Sequence, residues 1–288
     1  MKVGLVLAST PAYSETFFLT KIKGLKASGF NVTLFAQRNE NDFSLCQVKL
    51  APIVKKQNAL LQSFKIVFVL FGLVITYPKR VFKFITLEKR ANRVWIQIIK
   101  NLYNNSHILK ADLDWLHFGF ATMAIQSEHV AKAIDAKMAV SFRGFDLDVY
   151  PLEHPNCYEL LFKYVDKVHA ISNYILQQGY TFGLSKTKAY KIITPAINIS
   201  VFNNKKDTLV SQNIFLTVAR LHWIKGLKDT LKAMALVKEK GIDFKYVIVG
   251  EGPEYKDLVE MIKKLKLTHY VFLEGKKSHD EVMHYMSQ

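Results

Sequence analysis

Residues 214–226 read IFLTVARLHWIKG, and this stretch decides how the second half of the chain folds. The apolar run Ile214–Val218 predicts a buried strand, and the residues after 226 form an amphipathic helical pattern. A loop with an Arg, a Lys and a Gly between a strand and a helix is typical of an anion site. Guanidinium and ammonium groups bind phosphate oxygens, and a helix N-terminus offers unpaired N–H groups. The stretch therefore predicts a phosphate site formed by Arg220, Lys225 and Gly226.

Length and composition bound the class of protein. A chain of 288 residues, half of them hydrophobic, predicts about two globular domains. The net charge of +16 favours anionic partners, but it does not choose between nucleic acid, acidic lipid and phosphorylated ligands. Cys46 and Cys157 lie in no CxxC and have no His at metal spacing, so we expect reduced, partly buried thiols in a cytoplasmic protein with no metal site. The N-terminus lacks the features of a signal peptide.

The N-terminal segment has the pattern of a βαβ unit. Strands are predicted at Lys2–Ala8 and Asn31–Ala36, with a helix at Phe17–Ser28 between them, and this order indicates an open parallel sheet. The first loop lacks GxGxxG, which argues against an NAD or FAD enzyme. That loop still faces the expected cleft, so its residues either contact substrate or simply cap the helix. The candidates are Tyr13, Ser14, Glu15 and Thr16.

A second group of polar residues follows neighbouring strands. Strands are predicted at 114–119 and 137–142, joined by a helix from about Phe120 to Ile134. His117 and the turn Arg143–Asp146 then meet at the carboxyl edge of the sheet, where open α/β sheets bind ligands. The alternative is an internal Arg–Asp pair across a turn. We take His117, Arg143 and Asp146 as catalytic candidates because three polar groups converge on one edge.

The most apolar segment is Ile66–Tyr77, IVFVLFGLVITY. It is too short to span a bilayer, which takes roughly 20 residues. Lysines and an arginine flank it over residues 55–83, a pattern typical of a helix lying on an acidic membrane surface. A buried core helix with a basic rim fits the pattern equally well.

The C-terminal part repeats the strand–helix order. Residues 195–212 are polar and predict a linker, with one domain at 1–194 and a second at 213–288. In the second domain, strands are predicted at Phe244–Val249 and Tyr270–Leu273, and Ser278–Glu281 is a capping box. Gly250, Glu251 and Gly252 form a tight loop directly after the middle strand.

These motifs together resemble the retaining GT-B glycosyltransferases of group 1, which build polysaccharides, lipopolysaccharide and glycolipids. VARLHWIKGLKDTLKAMALVKEKG, YVIVGEGPE and VFLEGKKSHDEV follow one another in the family's order and spacing. DWLHFG, SFRGFD and the loop YSET resemble the family more loosely. The resemblance covers most of the chain and implies two Rossmann-type domains.

The resemblance also implies roles. Arg220, Lys225 and Gly226 would hold the diphosphate of a nucleotide-sugar donor, and Gly250–Gly252 would line the nucleotide cleft, without a metal ion. The acceptor, a saccharide or a lipid-linked saccharide, would rest near His117 and Arg143. Many members of the family carry His where this chain has Arg143.

The family's pattern continues with further βα units that hold a Glu-x7-Glu motif, which does not occur after Ser278. From the resemblance we expect an incomplete second domain, impaired transfer and an exposed edge strand at 214–218 open to association. Two rival hypotheses are a non-catalytic remnant that binds acceptor or membrane, and a nucleic-acid-binding protein. The last has only net charge in its favour, so no nucleic-acid partner is expected. We expect a cytoplasmic location, which becomes peripheral on the inner face of the plasma membrane if the segment 55–83 lies on an acidic membrane surface.

Overall fold

The computed structural model describes residues 1–11, 16–39, 43–53, 59–196 and 213–287. The chain divides into two compact units, Met1–Ile197 and Asn198–Gln288. Each unit is built on a parallel sheet flanked by helices. The predicted α/β class with two Rossmann-like sheets is therefore confirmed.

The first unit contains a sheet of seven parallel strands in the order β3-β2-β1-β4-β5-β6-β7. Its central strands are buried on both faces, since Leu5, Leu34 and Val140 are fully enclosed. This explains their near-continuous apolar sequence. The strands are β1 Lys2–Ser9, β2 Asn31–Arg38, β3 Gln47–Leu50, β4 Trp115–Phe118, β5 Lys137–Phe142, β6 Lys167–Ala170 and β7 Ala189–Ile192.

Helices pack on both faces of this sheet. Phe18 and Ile22 of the first helix cover β1 and β2 on one face, while Phe84 and Leu102 join a larger core on the other. The predicted cap at Ser172 is confirmed, because its hydroxyl accepts from the Ile175 N–H at 3.2 Å. The helices are α1 Thr16–Ala27, α2 Ala59–Thr76, α3 Pro78–Arg90, α4 Trp95–Asn104, α5 Ser106–Leu109, α6 Val130–Ala133, α7 Tyr150–Glu153, α8 Glu159–Tyr164 and α9 Asn173–Thr181.

The helix predicted from Phe120 to Ile134 was wrong. The segment forms a short 3-10 turn at Ala121–Ala124 and then the single turn α6. Between them Gln126 has a φ of 66°, which no helix accommodates. Asn105 holds this break through its side-chain amide, which donates to the Gln126 carbonyl at 3.3 Å. A tertiary hydrogen bond therefore overrides the local helical pattern.

The second unit has three parallel strands in the order β10-β9-β8. Strand β8 pairs with β9 along its whole length, and Ile214 and Phe215 on it are exposed. Within the described residues β8 is thus an edge strand, as predicted. The Ser278 capping box is confirmed by reciprocal bonds with Glu281, at 2.7 and 3.3 Å. The elements are β8 Asn213–Val218, α10 Leu227–Glu239, β9 Phe244–Val249, α11 Tyr255–Lys264, β10 Val271–Gly275 and α12 His279–Ser287.

Candidate functional site

Each unit carries one group of predicted site residues. In the first unit, a cavity of about 530 Å³ lies over one face of the sheet. Lys21 of α1 lines it together with His117, Arg143 and His169, which follow or end three neighbouring strands. The predicted convergence of His117 and Arg143 on one cavity is therefore observed.

A hydrogen-bonded chain crosses the sheet beneath this cavity. His117 Nε2 lies 2.9 Å from Ser141 Oγ, which lies 2.9 Å from His169 Nδ1, and His169 Nε2 lies 2.9 Å from the Ile193 carbonyl. The contact of His169 with the Ile193 carbonyl sets the direction of the hydrogen bonds along the chain, because a carbonyl oxygen can only accept. His169 Nε2 donates to it, so in the neutral ring Nδ1 accepts from the Ser141 hydroxyl. Ser141 Oγ in turn accepts from His117 Nε2.

Lys21 completes the chain at its other end. Its Nζ lies 3.2 Å from both ring nitrogens of His117, so it donates to Nδ1, which lacks a hydrogen in this tautomer. Burial lowers the pKa of Lys21 to about 7, helped by the like charge of Arg143. Burial also lowers the pKa of His117 well below its usual value, with further contributions from Lys21, His169 and Arg143. At neutral pH the site therefore holds a neutral imidazole beside an ammonium group at its titration midpoint.

Replacing Lys21 by methionine is expected to stabilise the first unit in a pH-dependent way. The pKa is about 7 in the folded chain against an ordinary value of 10.5, so the unfolded chain binds more protons between these values. Stability from this group is lowest below pH 7 and rises toward pH 10.5. We expect the variant to melt about 3–6 °C above the wild type at pH 6 and the gain to shrink toward pH 10. Thermal unfolding followed by circular dichroism at pH 6, 8 and 10 measures it.

The matched control for Lys21 is Lys23→Met, since Lys23 lies exposed on the same helix. We expect its melting temperature to stay within about 2 °C of the wild type at each pH. A gain for Lys21→Met that is equal at all three pH values would contradict the assignment of a buried ammonium.

Arg143 lies among aromatic rings at the carboxyl end of β5. Its guanidinium carbon is 4.0 Å from the ring centroid of Phe17, 5.0 Å from that of Phe18 and 5.3 Å from that of Phe120. Its Nε donates to the Gly119 carbonyl at 3.3 Å. These contacts fix a cation at the cavity wall, since a guanidinium is attracted to the faces of aromatic rings.

Asp146 has a different environment from the other two catalytic candidates. Its carboxylate is fully buried and accepts from the Thr122 N–H at 3.0 Å, the Thr122 hydroxyl at 3.1 Å and the Arg143 N–H at 3.1 Å. Burial raises its pKa to about 6 despite these bonds. Because its oxygens are used inside the protein, Asp146 holds the Arg143 turn in place, and its assignment as a catalytic residue stays a prediction.

The acceptor-side loop of the prediction falls largely outside the described residues. Tyr13, Ser14 and Glu15 lie there, and for Thr16 only the backbone, at the start of α1, is described. Sequence reasoning did not select Lys21, Ser141 or His169. The signal that could have found Ser141 and His169 is a polar residue on each of three adjacent, otherwise apolar strands.

In the second unit, the two predicted donor loops are bonded to each other. They follow β8 and β9, whose register ends with Val218 opposite Val249. The Ala219 N–H then donates to the Val249 carbonyl at 3.0 Å, and the Leu221 N–H donates to the Glu251 carbonyl at 2.9 Å. The loop of Arg220 and the loop Gly250–Gly252 therefore form one continuous edge.

Two glycines make this approach possible. A Cβ on Gly250 would stand 1.8 Å from the Ala219 carbonyl oxygen, and one on Gly252 would stand 2.3 Å from the Leu221 carbonyl oxygen. The φ of Gly250, 151°, is also one that other residues rarely adopt. The glycines are therefore required by packing between the two loops.

The start of α10 has the features of an anion site. Gly226 is left-handed, with a φ of 64°, and gives the helix no side-chain cap. Among the described residues, no acceptor pairs with the backbone N–H groups of Leu227 and Lys228. Arg220 and Lys225 are exposed in the same loop and enter no ion pair within the described part of the chain. Free donors, the helix dipole and two cations together favour a phosphate group.

The described residues contain no group of three or more His, Cys, Asp or Glu side chains placed to hold a metal ion. Cys46 and Cys157 are half-buried free thiols.

Comparisons with known proteins agree with this fold. Residues 200–288 match the family model of glycosyl transferases, group 1. The amylovoran biosynthesis glycosyltransferase AmsK of Erwinia amylovora is 28% identical over 187 residues, 64% of this chain and 46% of AmsK. The colanic acid biosynthesis protein WcaL of Escherichia coli (strain K12) is 23% identical over 98% of this chain and 72% of its own length. The matched part thus spans about half of AmsK.

Solved structures match at the level of the fold. Anabaena Alr3699/HepE in complex with UDP and glucose superposes with a TM-score of 0.65 at 12% identity, over 100% of this chain and 72% of that one. WaaG, a glycosyltransferase involved in lipopolysaccharide biosynthesis, superposes with a TM-score of 0.56 at 13% identity, over 99% of this chain and 72% of WaaG. The fold class is therefore GT-B. Residues 200–288 therefore resemble the group 1 glycosyltransferases, and both curated relatives carry the name of a glycosyltransferase.

Proposed function

We propose that the chain transfers a sugar from a nucleoside-diphosphate donor to a saccharide or lipid-linked acceptor, in the synthesis of an envelope or extracellular polysaccharide. The observation that carries the proposal is the pair of bonded loops in the second unit, with two cations beside a helix N-terminus without a side-chain cap. AmsK is named as an amylovoran biosynthesis glycosyltransferase, and the HepE structure holds UDP and glucose. Both support the same class of donor and product.

On the donor side, the chemistry to be assisted is the departure of a nucleoside diphosphate. Negative charge grows on its terminal phosphate as the bond to the sugar breaks. Arg220 and Lys225 would neutralise that charge, and the N–H groups of Leu227 and Lys228 would bind its oxygens. We infer that this arrangement acts without a metal ion and that the sugar keeps its configuration, as the family resemblance implies.

On the acceptor side, the cavity of the first unit would bind the hydroxyl-rich partner. Neutral His117 and the cation of Arg143 both line it. Lys21 and Arg143 would attract an acidic or phosphorylated acceptor, while neutral His117, whose two ring nitrogens are bonded to Lys21 and Ser141, would hold the Lys21 ammonium in place. We further infer a peripheral position on the inner face of the plasma membrane, where lipid-linked acceptors are presented.

The donor half of the proposal is tested by replacing Arg220 with alanine. Removal of a charge-assisted contact to the diphosphate should weaken binding of UDP or GDP by about 10–100-fold. Isothermal titration calorimetry with each nucleotide measures the effect. Lys256→Ala, which removes an exposed cation from α11 in the same unit, is the matched control and should leave affinity within about twofold.

Equal affinity of the Arg220→Ala variant and the wild type for every nucleotide that binds would remove the donor-site assignment. Transfer itself requires a panel of nucleotide sugars and saccharide acceptors with product detected by mass spectrometry. A chain that binds nucleotide and yields no transfer product with that panel would favour the rival hypothesis of a binding protein without catalysis.

A further inference from the structure

Helix α2 presents two apolar faces, and within the described part of the first unit only one of them is covered by other residues. Leu73 is fully buried, and Leu70 packs against the main core of the first unit. On the other side, five large apolar side chains recur every three or four residues and are between 63% and 80% exposed. We call them the outer stripe: Leu61, Phe64, Phe68, Phe71 and Ile75.

The outer stripe is unusual for a helix of a globular protein. Such a helix normally turns one apolar face to the core and a polar face to water. Here Val67 and Val74 beside the stripe are exposed as well, so the outward face of α2 is apolar along most of its length. A continuous exposed apolar surface of this kind marks an interaction site.

Helix α4 also exposes large apolar side chains. It packs beside α2, and Ile98 of α4 shares a core cluster with Leu73 of α2. Its opposite side exposes Trp95, Ile96 and Ile99. An exposed tryptophan with an adjacent lysine, Lys89, whose Nζ is 4.1 Å from the ring centroid, is suited to the polar boundary of a bilayer.

The charge around the stripe selects the partner. Residues 59–104 contain eight Lys and Arg and a single acidic residue, Glu88, which is buried and paired with Arg93. Among the described residues, no ion pair involves the exposed cations Lys65, Lys79, Lys89, Arg90 and Lys100. Two copies of such a surface would repel each other, whereas anionic lipid headgroups would complement it.

The geometry favours a helix lying in the membrane surface. Among the described helices none is long and apolar enough to cross a bilayer by itself. Residues 61–76 and α3 pass that test only as a pair, and the chain bends by 113° between them. With its inner face bound to the core, α2 can insert only its outer side chains, to a depth of roughly 5–10 Å.

We propose that the outer stripe of α2, with the exposed residues of α4 and the surrounding cations, docks the first unit onto an anionic bilayer. The docking proposal specifies the membrane position that was inferred with the proposed function. It rests on the proposed function only for the biological purpose of docking, which is access to a lipid-linked acceptor.

The test is co-sedimentation of the full chain with vesicles of phosphatidylcholine, alone or mixed equally with phosphatidylglycerol. We expect binding to the mixed vesicles, weakened by added salt, and little binding to phosphatidylcholine alone. The variant Phe64→Ser/Phe68→Ser/Phe71→Ser should lose at least about fiftyfold in partitioning. Leu236→Ser/Ile242→Ser, which removes two exposed apolar side chains from the second unit, should bind like the wild type.

A second variant keeps the test independent of the apolar substitutions. Lys65→Glu/Lys79→Glu should lower partitioning into mixed vesicles about tenfold and leave the melting temperature nearly unchanged.

Brominated lipid should quench Trp95 fluorescence, a signal that Trp95→Phe removes. Equal binding of the wild type, the triple Phe→Ser variant and the double Lys→Glu variant would overturn the proposal. The proposal would also be overturned if the wild type did not bind vesicles and instead formed dimers that the triple substitution dissociates.

Vesicle binding is measured without nucleotide or acceptor, so its outcome is separate from that of the donor-site test. A chain that binds vesicles while Arg220→Ala leaves nucleotide affinity unchanged would overturn the proposed function alone. A chain that transfers sugar but ignores anionic vesicles would overturn the docking proposal alone.

Discussion

Replacing Gly250 by alanine is expected to destabilise the second unit by at least about 3 kcal/mol. The added Cβ would stand 1.8 Å from the Ala219 carbonyl oxygen. That oxygen belongs to backbone, and the adjacent Ala219 N–H is bonded to the Val249 carbonyl. No side-chain rotation can relieve the contact, so the two parallel strands must separate.

The same change should also abolish nucleotide binding, because Arg220 follows Ala219 directly. Hydrogen exchange of the β8 and β9 amides measures the loss of structure, and calorimetry with UDP measures the loss of binding. Gly241→Ala is the matched control: Gly241 also has a positive φ, 72°, but its Cβ would meet nothing within 4 Å. It should cost about 1–2 kcal/mol and spare binding. Exchange rates for Gly250→Ala no faster than for Gly241→Ala would contradict the close approach of the loops.

The second large effect is expected in the first unit, where Glu88→Ala should lower the free energy of unfolding by about 3–5 kcal/mol. The Glu88 carboxylate is fully buried and accepts from Arg93 Nη1 at 2.9 and 3.0 Å, from Asn101 Nδ2 at 2.7 Å and from His129 Nδ1 at 2.5 Å. Removing it leaves these donors buried without their acceptor. The loss would loosen α3, α4 and the segment before α6, which support the proposed docking surface.

The pH dependence of Glu88 follows from the same contacts. Burial alone would raise its pKa, but the bonds from His129, Asn101 and Arg93 outweigh burial and lower it below the ordinary 4.5. Its contribution to stability is therefore present above pH 4.5 and is lost as the pH falls through the lower folded value. Urea unfolding at pH 7 and pH 3 should show a smaller deficit for Glu88→Ala at pH 3.

Glu153→Ala, which removes an exposed carboxylate from α7, should stay within about 0.5 kcal/mol of the wild type. If Glu88→Ala lowered the free energy of unfolding at pH 7 by as little as Glu153→Ala does, the buried network would contribute little to stability.

Regular local patterns were predictable from the sequence. The strand at Phe244–Val249 agrees with the structure to the residue, and β1, α1 and β2 differ by at most two residues at their ends. These elements succeed because burial on both faces of a strand and a C-cap glycine after a helix each leave a local signature. Strands β3 and β7 were not predicted, because these two edge strands have no fully buried residue and so carry no clear apolar pattern.

The two candidate sites differ in how much the sequence revealed. The donor loops were predictable because each follows a parallel strand, and neighbouring parallel strands end at the same edge. The chain Lys21–His117–Ser141–His169 was not predictable as a group, because its members come from one helix and three strands. Asp146 also shows the limit of prediction from the sequence. Its position after a strand suggested a catalytic role, whereas its burial and its hydrogen bonds from Thr122 appear only in the folded unit.

By itself the sequence determined the α/β class, the family resemblance and the residues that surround the predicted phosphate site, since all of these depend on short-range order along the chain. Only the tertiary structure decided which polar groups meet, which glycines are required and which side chains of α2 are exposed among the described residues. Those outcomes depend on contacts between residues far apart in sequence. The stretch 214–226 needs both: its residues predict an anion site, and its loop is held in place by the glycines after β9.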